Sequence, residues 1–196
     1  MNQKGMSLVE IVIALVLMGI GTAAALPRLE QAHRNAALNA VTRRLQMSLL
    51  RARAEAMSTG YTAGLVFEKK GNGYRCTLVR DGDDDGIRRE DILRGIDLPI
   101  SEILELDTGG ASLGFLRDVR IPDPSGGGAL GGNFDDPVRA GPADILSYRP
   151  EGTATPATLY LCDHQESMKA IRIFGLTGRI RVLRWRVGTL RWEVDG

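Results

Sequence analysis

Met6 to Leu26 is a run of 21 residues in which Glu10 is the only charged side chain. As a helix rising ~1.5 Å per residue it would extend roughly 32 Å, close to the ~30 Å hydrocarbon core of a bilayer. Such a run must end in lipid, against other helices, or in a segment that is removed. Lys4 precedes it and Arg28 follows it, so charge bias orients it only weakly. A single span after a short positive start favours the N-terminus inside and the following domain outside.

Glu10 separates three readings of this segment. A plain membrane anchor gains nothing from a carboxylate at that depth, where a charged group costs on the order of 2.5–3.5 kcal/mol. A secretory signal peptide would use Ala23 to Ala25 as an A-x-A-like cleavage site ahead of Pro27. Against it, the apolar run exceeds the usual ~7–15 residues. The third reading needs the acid. If the chain were cut after Gly5, Met6 would carry a new ammonium group, with Glu10 about one helical turn away. In a bundle of such helices, Glu10 of one subunit can pair with the terminal amine of its neighbour, which offsets the desolvation of both.

Gly5, Met6 and Glu10, followed by an apolar run, resemble the class III signal of type IV prepilins and pseudopilins. The resemblance implies a prepilin peptidase that cuts after Gly5 and N-methylates Met6; phenylalanine is the usual residue there and methionine an accepted variant. It further implies other pilins and an inner-membrane assembly platform as partners.

After Pro27, "RLEQAHRNAALNAVTRRLQMSLLRARAEAMSTG" has helical composition and no Pro or Gly until Gly60, a natural stop. Leu38, Val41, Leu45, Leu49, Ala52 and Ala56 recur every three or four residues, an apolar stripe suited to packing on a sheet. Met6 to Met57 would then form one nearly continuous helix. Residues 1–5 read as a leader, 6–26 as the transmembrane and assembly helix, and 27–60 as its amphipathic continuation. Residues 61–196 read as a β-rich domain with loops at 81–110 and 122–143. Within it, "YTAGLVFEK" and "GYRCTLVRD" around "KGNG" signal a hairpin. "SLGFLRDVRIP", "DILSYRP", "ATLYLCD", "KAIRIFGL", "GRIRVLRWRV" and "TLRWEV" read as further strands. The glycines of "DPSGGGALGGNFDDPVRAGP" match no phosphate-binding spacing.

"LRARAEAMSTG", "SYRPEGTATPATLYL" and "IRIFGLTGRIRV" are similar to the GspH/FimT branch of minor pseudopilins and pilins. That resemblance implies an α+β, type IV pilin-like fold, with a long helix whose second half packs on antiparallel sheet. It also implies a non-enzymatic subunit of a type II secretion or type IV pilus machine, without cofactor, anchored once in the bacterial inner membrane with its domain in the periplasm and later in the fibre.

The net charge of +1 hides an asymmetry. Between Asp81 and Asp107 ten acids face three arginines, whereas from Met168 onward seven basic residues face Glu193 and Asp195. Opposed patches fit lateral association, or an anionic partner at the C-terminal end. "DGDDDGIRREDI" places Asp81, Asp83, Asp85 and Gly86 at calcium-loop positions one, three, five and six, but position twelve is Ile92, so a tight acidic turn competes with a cation site. Cys76 and Cys162 can pair or remain two buried thiols. His33 on the helix and His164 in the turn "CDHQES" stand in no catalytic or metal spacing.

In a regular strand Arg179 and Arg181 share one face and Arg184 and Arg186 the other. An unbroken strand would bury one pair or the other, whereas a bulge or bend near Val182–Leu183 would turn all four outward, and with Trp185 and Trp192 they could hold phosphates and stack bases. Gly178-Arg179-x-Arg181 is similar to a pattern associated with DNA uptake in FimT-like pilins, which implies a surface DNA receptor as the alternative. Relatives with secretion roles carry it too. A third possibility is a secreted soluble enzyme released at Ala25.

Overall fold

The computed structural model describes residues 8–71, 73–116, 121–124, 128–130, 135–186 and 188–195. Helix α1, Leu8–Thr59, runs unbroken through Pro27 for 52 residues, about 78 Å at the standard rise. It stops where expected: Gly60 adopts φ +77° and its N–H reaches the Ala56 carbonyl at 3.1 Å. The described apolar residues from Leu8 to Ile20 are exposed, so among the described residues nothing in the chain's own fold covers this part of the helix. The Thr22 hydroxyl donates back to the Met18 carbonyl, which satisfies a polar group inside the apolar run.

From Leu38 onward the helix has a partner. Leu38, Val41, Leu45, Leu49, Ala52 and Ala56 are each no more than 2% exposed. They pack against β1 (Ala63–Lys70), β2 (Gly73–Arg80) and β7 (Ile145–Tyr148) on one side, and β8 (Ala157–Cys162) and β9 (Met168–Phe174) on the other. Full burial of one such leucine contributes about 1.5–3 kcal/mol. The expected hairpin forms, with Lys70 opposite Gly73 and the register held to Ala63 opposite Arg80.

Two antiparallel sheets result. In the first the order is β3-β2-β1-β7, with β3 (Leu98–Pro99) and β4 (Leu104–Glu105) both on the outer edge of β2. In the second it is β11-β10-β9-β8-β5, where β5 is Ser112–Leu113, β10 is Arg179–Arg186 and β11 is Arg191–Val194. Strand β6 (Val138–Arg139) also pairs with β8. The fold is the α+β, pilin-like arrangement of a long helix on antiparallel sheet.

Some details depart from the sequence reading. The stretch 81–110 is not all loop: it holds α2 (Arg89–Arg94), β3 and β4. Ile87 and Ile92 bring α2 onto Val66, Val79 and Ile145, which gives this segment a small core of its own. "SLGFLRDVRIP" contributes only the two-residue β5, and residues 117–120 within it lie outside the described residues. Phe115, Leu116 and Ile121 instead cover the second sheet on the side away from α1. Together with Leu130 they enclose Tyr160, Cys162, Met168, Ala170, Leu183 and Trp185. The second sheet is thus buried on both faces over part of its length.

Candidate functional site

Glu10 stands in the first described turn of α1, exposed, among Leu8, Val9, Ile11 and Val12, which are exposed as well. The acid therefore lies in an exposed apolar surface. Gly5 and Met6 lie outside the described residues.

Strand β10 contains no bulge. It pairs continuously with β9, from Arg179 opposite Phe174 to Arg184 opposite Lys169. It pairs likewise with β11, from Leu183 opposite Val194 to Arg186 opposite Arg191. The four arginines thus stay split between two faces, contrary to the outward-facing set a bulge would give. No arginine pair is buried by this, because the apolar cover changes sides along the strand. Ile180 and Val182 pack toward α1, and Leu183 and Trp185 toward the other cluster. Trp185 is only 2% exposed, and Trp192 packs against it, tilted by 59° with centroids 5.4 Å apart, the Trp192 indole N–H donating to the Pro122 carbonyl at 2.8 Å. Trp185 is core and Trp192 is half-buried against it, so Trp185 is not presented to bases.

The face with Arg179 and Arg181 carries more than the sequence suggested. Arg172 lies opposite Arg181, and both guanidinium groups sit over the Phe174 ring, at 5.0 and 5.5 Å from its centroid. Like charges directly opposite each other repel; the shared ring offsets this, as a cation over an aromatic is attracted. Across Thr158 from Arg172 lies Arg139. None of these four arginines has a carboxylate within 4 Å among the described residues. The alternation in "KAIRIF" already put Arg172 away from the core, but its register with Arg181 needed the fold. Gly178 adopts φ +58°, and a Cβ there would lie 2.4 Å from the Gly152 carbonyl oxygen, so only glycine fits ahead of Arg179.

The acidic turn is built around two buried carboxylates. Asp81, 1% exposed, accepts backbone N–H bonds from Asp83, Asp84 and Gly86 at 3.2, 2.9 and 2.8 Å. Asp97, fully buried, accepts from Gly82 and Arg88 at 3.1 and 2.9 Å. Asp81, Asp83 and Asp85 do bring one oxygen each within 4.8 Å of one another. Asp81, however, is engaged in holding the turn, and Ile92 points into apolar contact rather than toward a ligand position. Asp85 pairs with Arg88. Loss of surrounding water holds its carboxyl above the usual carboxylate range; Arg88 opposes that shift and Asp83 adds to it.

Cys76 on β2 and Cys162 on β8 belong to different sheets and are separate buried thiols, not a bridge. Burial pushes them up to about 12 and about 11. Neither is an activated nucleophile at neutral pH.

A contact that the sequence reading missed joins residues 52 apart. The Ser112 hydroxyl lies 2.7 Å from Nε2 of His164, whose Nδ1 is 3.4 Å from the Cys162 sulfur. Ser112 is 3% exposed and the backbone of His164 sits at φ +60°. The ring thereby closes the β8–β9 turn over the core, and the serine is not presented to a substrate. Nearby, Ser167 donates to Asn35 at 3.0 Å and Gln31 donates to Glu166 at 3.3 Å, tying the same turn to α1.

Comparison with known families adds two matches. Residues 1–26 match the model of the prokaryotic N-terminal methylation motif, and residues 41–177 match that of type II transport protein GspH. No curated protein and no solved structure matches the chain.

Proposed function

The chain belongs to the family of type II transport protein GspH, whose members are minor pseudopilins, and from that premise we propose that it works as a subunit of a short fibre in the bacterial envelope. One observation carries this: a methylation motif over residues 1–26 coincides with an apolar helix that the chain's own fold leaves uncovered. The prepilin peptidase removes residues 1–5 and methylates Met6. Until extraction, the helix holds the protein as a single span in the inner membrane, with the globular domain in the periplasm. The assembly platform then moves it into the fibre, where apolar helices bundle and Glu10 sets axial register by meeting the amine of a neighbouring subunit. No step turns over a substrate. The test is the chemistry of the mature N-terminus, which should be methylated Met6.

A second role, DNA capture during uptake, is favoured by the arginine face around Phe174. Phosphates would meet Arg172, Arg179 and Arg181, which cluster around the Phe174 ring. Exchange of Arg179 and Arg181 for alanine in the detergent-solubilised chain should lower duplex affinity and flatten its salt dependence. Unchanged affinity and slope would remove this role.

A further inference from the structure

Contacts at its two ends fix how the second sheet runs along α1. At one end the β8–β9 turn is tied to α1 by the Gln31–Glu166 and Asn35–Ser167 bonds. At the other, Nη2 of Arg53 lies 3.8 Å from where a Cβ on Gly152 would stand, and Gly152 closes on Gly178 of the β9–β10 turn. Strand β9 therefore leads away from the apolar run and β10 returns toward it. Arg186, the last residue of β10, lines one cavity of about 350 Å³ together with Gln165, Glu166 and Ser167 of the β8–β9 turn. Gln31 lies five residues beyond Leu26, about 7.5 Å along the helix. The headgroup zone on each side of a bilayer is about 5–8 Å deep. The tip between β10 and β11 thus stands at the end of the domain where α1 would leave the lipid.

That tip has the composition of a membrane contact. Arg186 lies opposite Arg191, and the Thr189 N–H closes the turn on the Arg186 carbonyl at 3.3 Å. Exposed Arg191 has no carboxylate within 4 Å among the described residues. Arg186 meets only the exposed Glu193, a kind of pair that contributes little in water. Leu190, beside Arg191, is 59% exposed and held at φ +49°, a conformation leucine rarely adopts. Neither its exposure nor its backbone stabilises the fold. Arg28, exposed on α1, likewise has no carboxylate within 4 Å among the described residues. The acids at this end are engaged, Glu166 with Gln31 and Glu30 with Arg34.

We infer that the β10–β11 tip docks on anionic phospholipid headgroups of the leaflet from which α1 emerges. Arg186 and Arg191 meet the phosphates, and Leu190 enters between the headgroups. This rests on the single-span reading and gives the globular domain a second hold on the membrane, one that extraction into the fibre must break. The tip is separate from the arginines around Phe174, since Arg186 lies five residues beyond Arg181, about 17 Å along the strand.

The test places the full chain in lipid nanodiscs with a fluorophore on Thr189→Cys; Cys76 and Cys162 are buried and stay unlabelled. A nitroxide on the lipid headgroup quenches the dye when the tip is docked. Discs with about 30% phosphatidylglycerol should quench at least twice as strongly as phosphatidylcholine alone, and 0.5 M salt should remove the excess. Each arginine beside an anionic surface contributes a factor of about five to binding. Arg186→Gln with Arg191→Gln should therefore lower the docked-to-free ratio more than tenfold. Leu190→Gly, which relieves the backbone, should weaken docking without lowering the melting temperature. A dye on Thr177→Cys, in the exposed β9–β10 turn, should stay unquenched throughout. Quenching indifferent to lipid charge, to the glutamines or to the glycine, or equal at Thr177, would overturn the proposal. So would a glutamine variant that docks normally but no longer binds a 20-base-pair duplex. A chain that does not enter the discs would remove the single-span reading, whereas one that enters with unresponsive quenching would remove the docking alone.

Discussion

Exchange of Glu10 for alanine should leave membrane insertion intact and reduce recovery of the chain in sheared fibres by more than tenfold. Insertion should survive because the substitution removes the one charge from Met6 to Leu26, and a carboxylate at that depth opposes insertion by about 2.5–3.5 kcal/mol. Assembly should fail for the opposite reason. Glu10 stands exposed among Leu8, Val9, Ile11 and Val12, so in the proposed fibre neighbouring helices would fill the apolar surface around it. Apolar packing alone lets such helices slide along one another. A carboxylate that must meet an amine in a medium without water has one acceptable height, and every other register leaves a charge stranded. Glutamine in place of Glu10 keeps the shape but not the charge and should fail as well. Fractionation followed by immunoblotting of membrane and fibre pools reads both effects. Normal recovery of the alanine variant would remove the register role.

Loss of Leu45 should be a strongly damaging truncation within the folded domain. Leu45 is fully buried between α1 and both sheets. Its replacement by alanine removes three carbons from a site walled by two sheets that cannot close together around the gap. The expected cost is about 3 kcal/mol, which lowers the melting temperature by roughly 6–12 °C for a domain of this size. Leu50, on the opposite side of the same helix and 43% exposed, is the control. Its replacement by alanine should change stability by about 0.5 kcal/mol or less. Thermal melting of the detergent-solubilised chain, followed by circular dichroism, separates the two. Equal losses would mean that the buried stripe is not what joins helix to sheet.

That stripe was legible in the sequence because a helix repeats every 3.6 residues. Leu38, Val41, Leu45, Leu49, Ala52 and Ala56 have to share a face whatever lies opposite. The hairpin at residues 63–80 and strands β7 to β11 were legible for the same kind of reason, alternating or apolar runs bounded by glycine and proline. The split of the β10 arginines was misread. Parity alone implied that one pair would be buried unless the strand bent, and it did not reveal that the apolar cover switches sides at Leu183. That switch depends on Phe115, Leu116, Ile121 and Leu130, which come from irregular segments with no periodicity to mark them. Trp185 was misread with them, because a tryptophan between arginines looks the same whether it meets a base or a core.

Spacing likewise said nothing of Ser112 and His164, since they meet only once β5 is laid beside β8. The acidic turn is an intermediate case. Its aspartates were obvious, but which of them would be buried to hold the turn and which left outward was decided by Asp97, sixteen residues after Asp81.

Everything proposed for assembly depends on which atoms stand at the start of the mature chain. The deciding measurement is the mass and fragmentation spectrum of the N-terminal peptide from protein isolated from its native membrane. A peptide that begins at Met6, heavier by one methyl group on its amine and retaining Glu10, is the predicted result. A chain that begins at Leu26 would have lost both the acid and the amine, and would contradict the account.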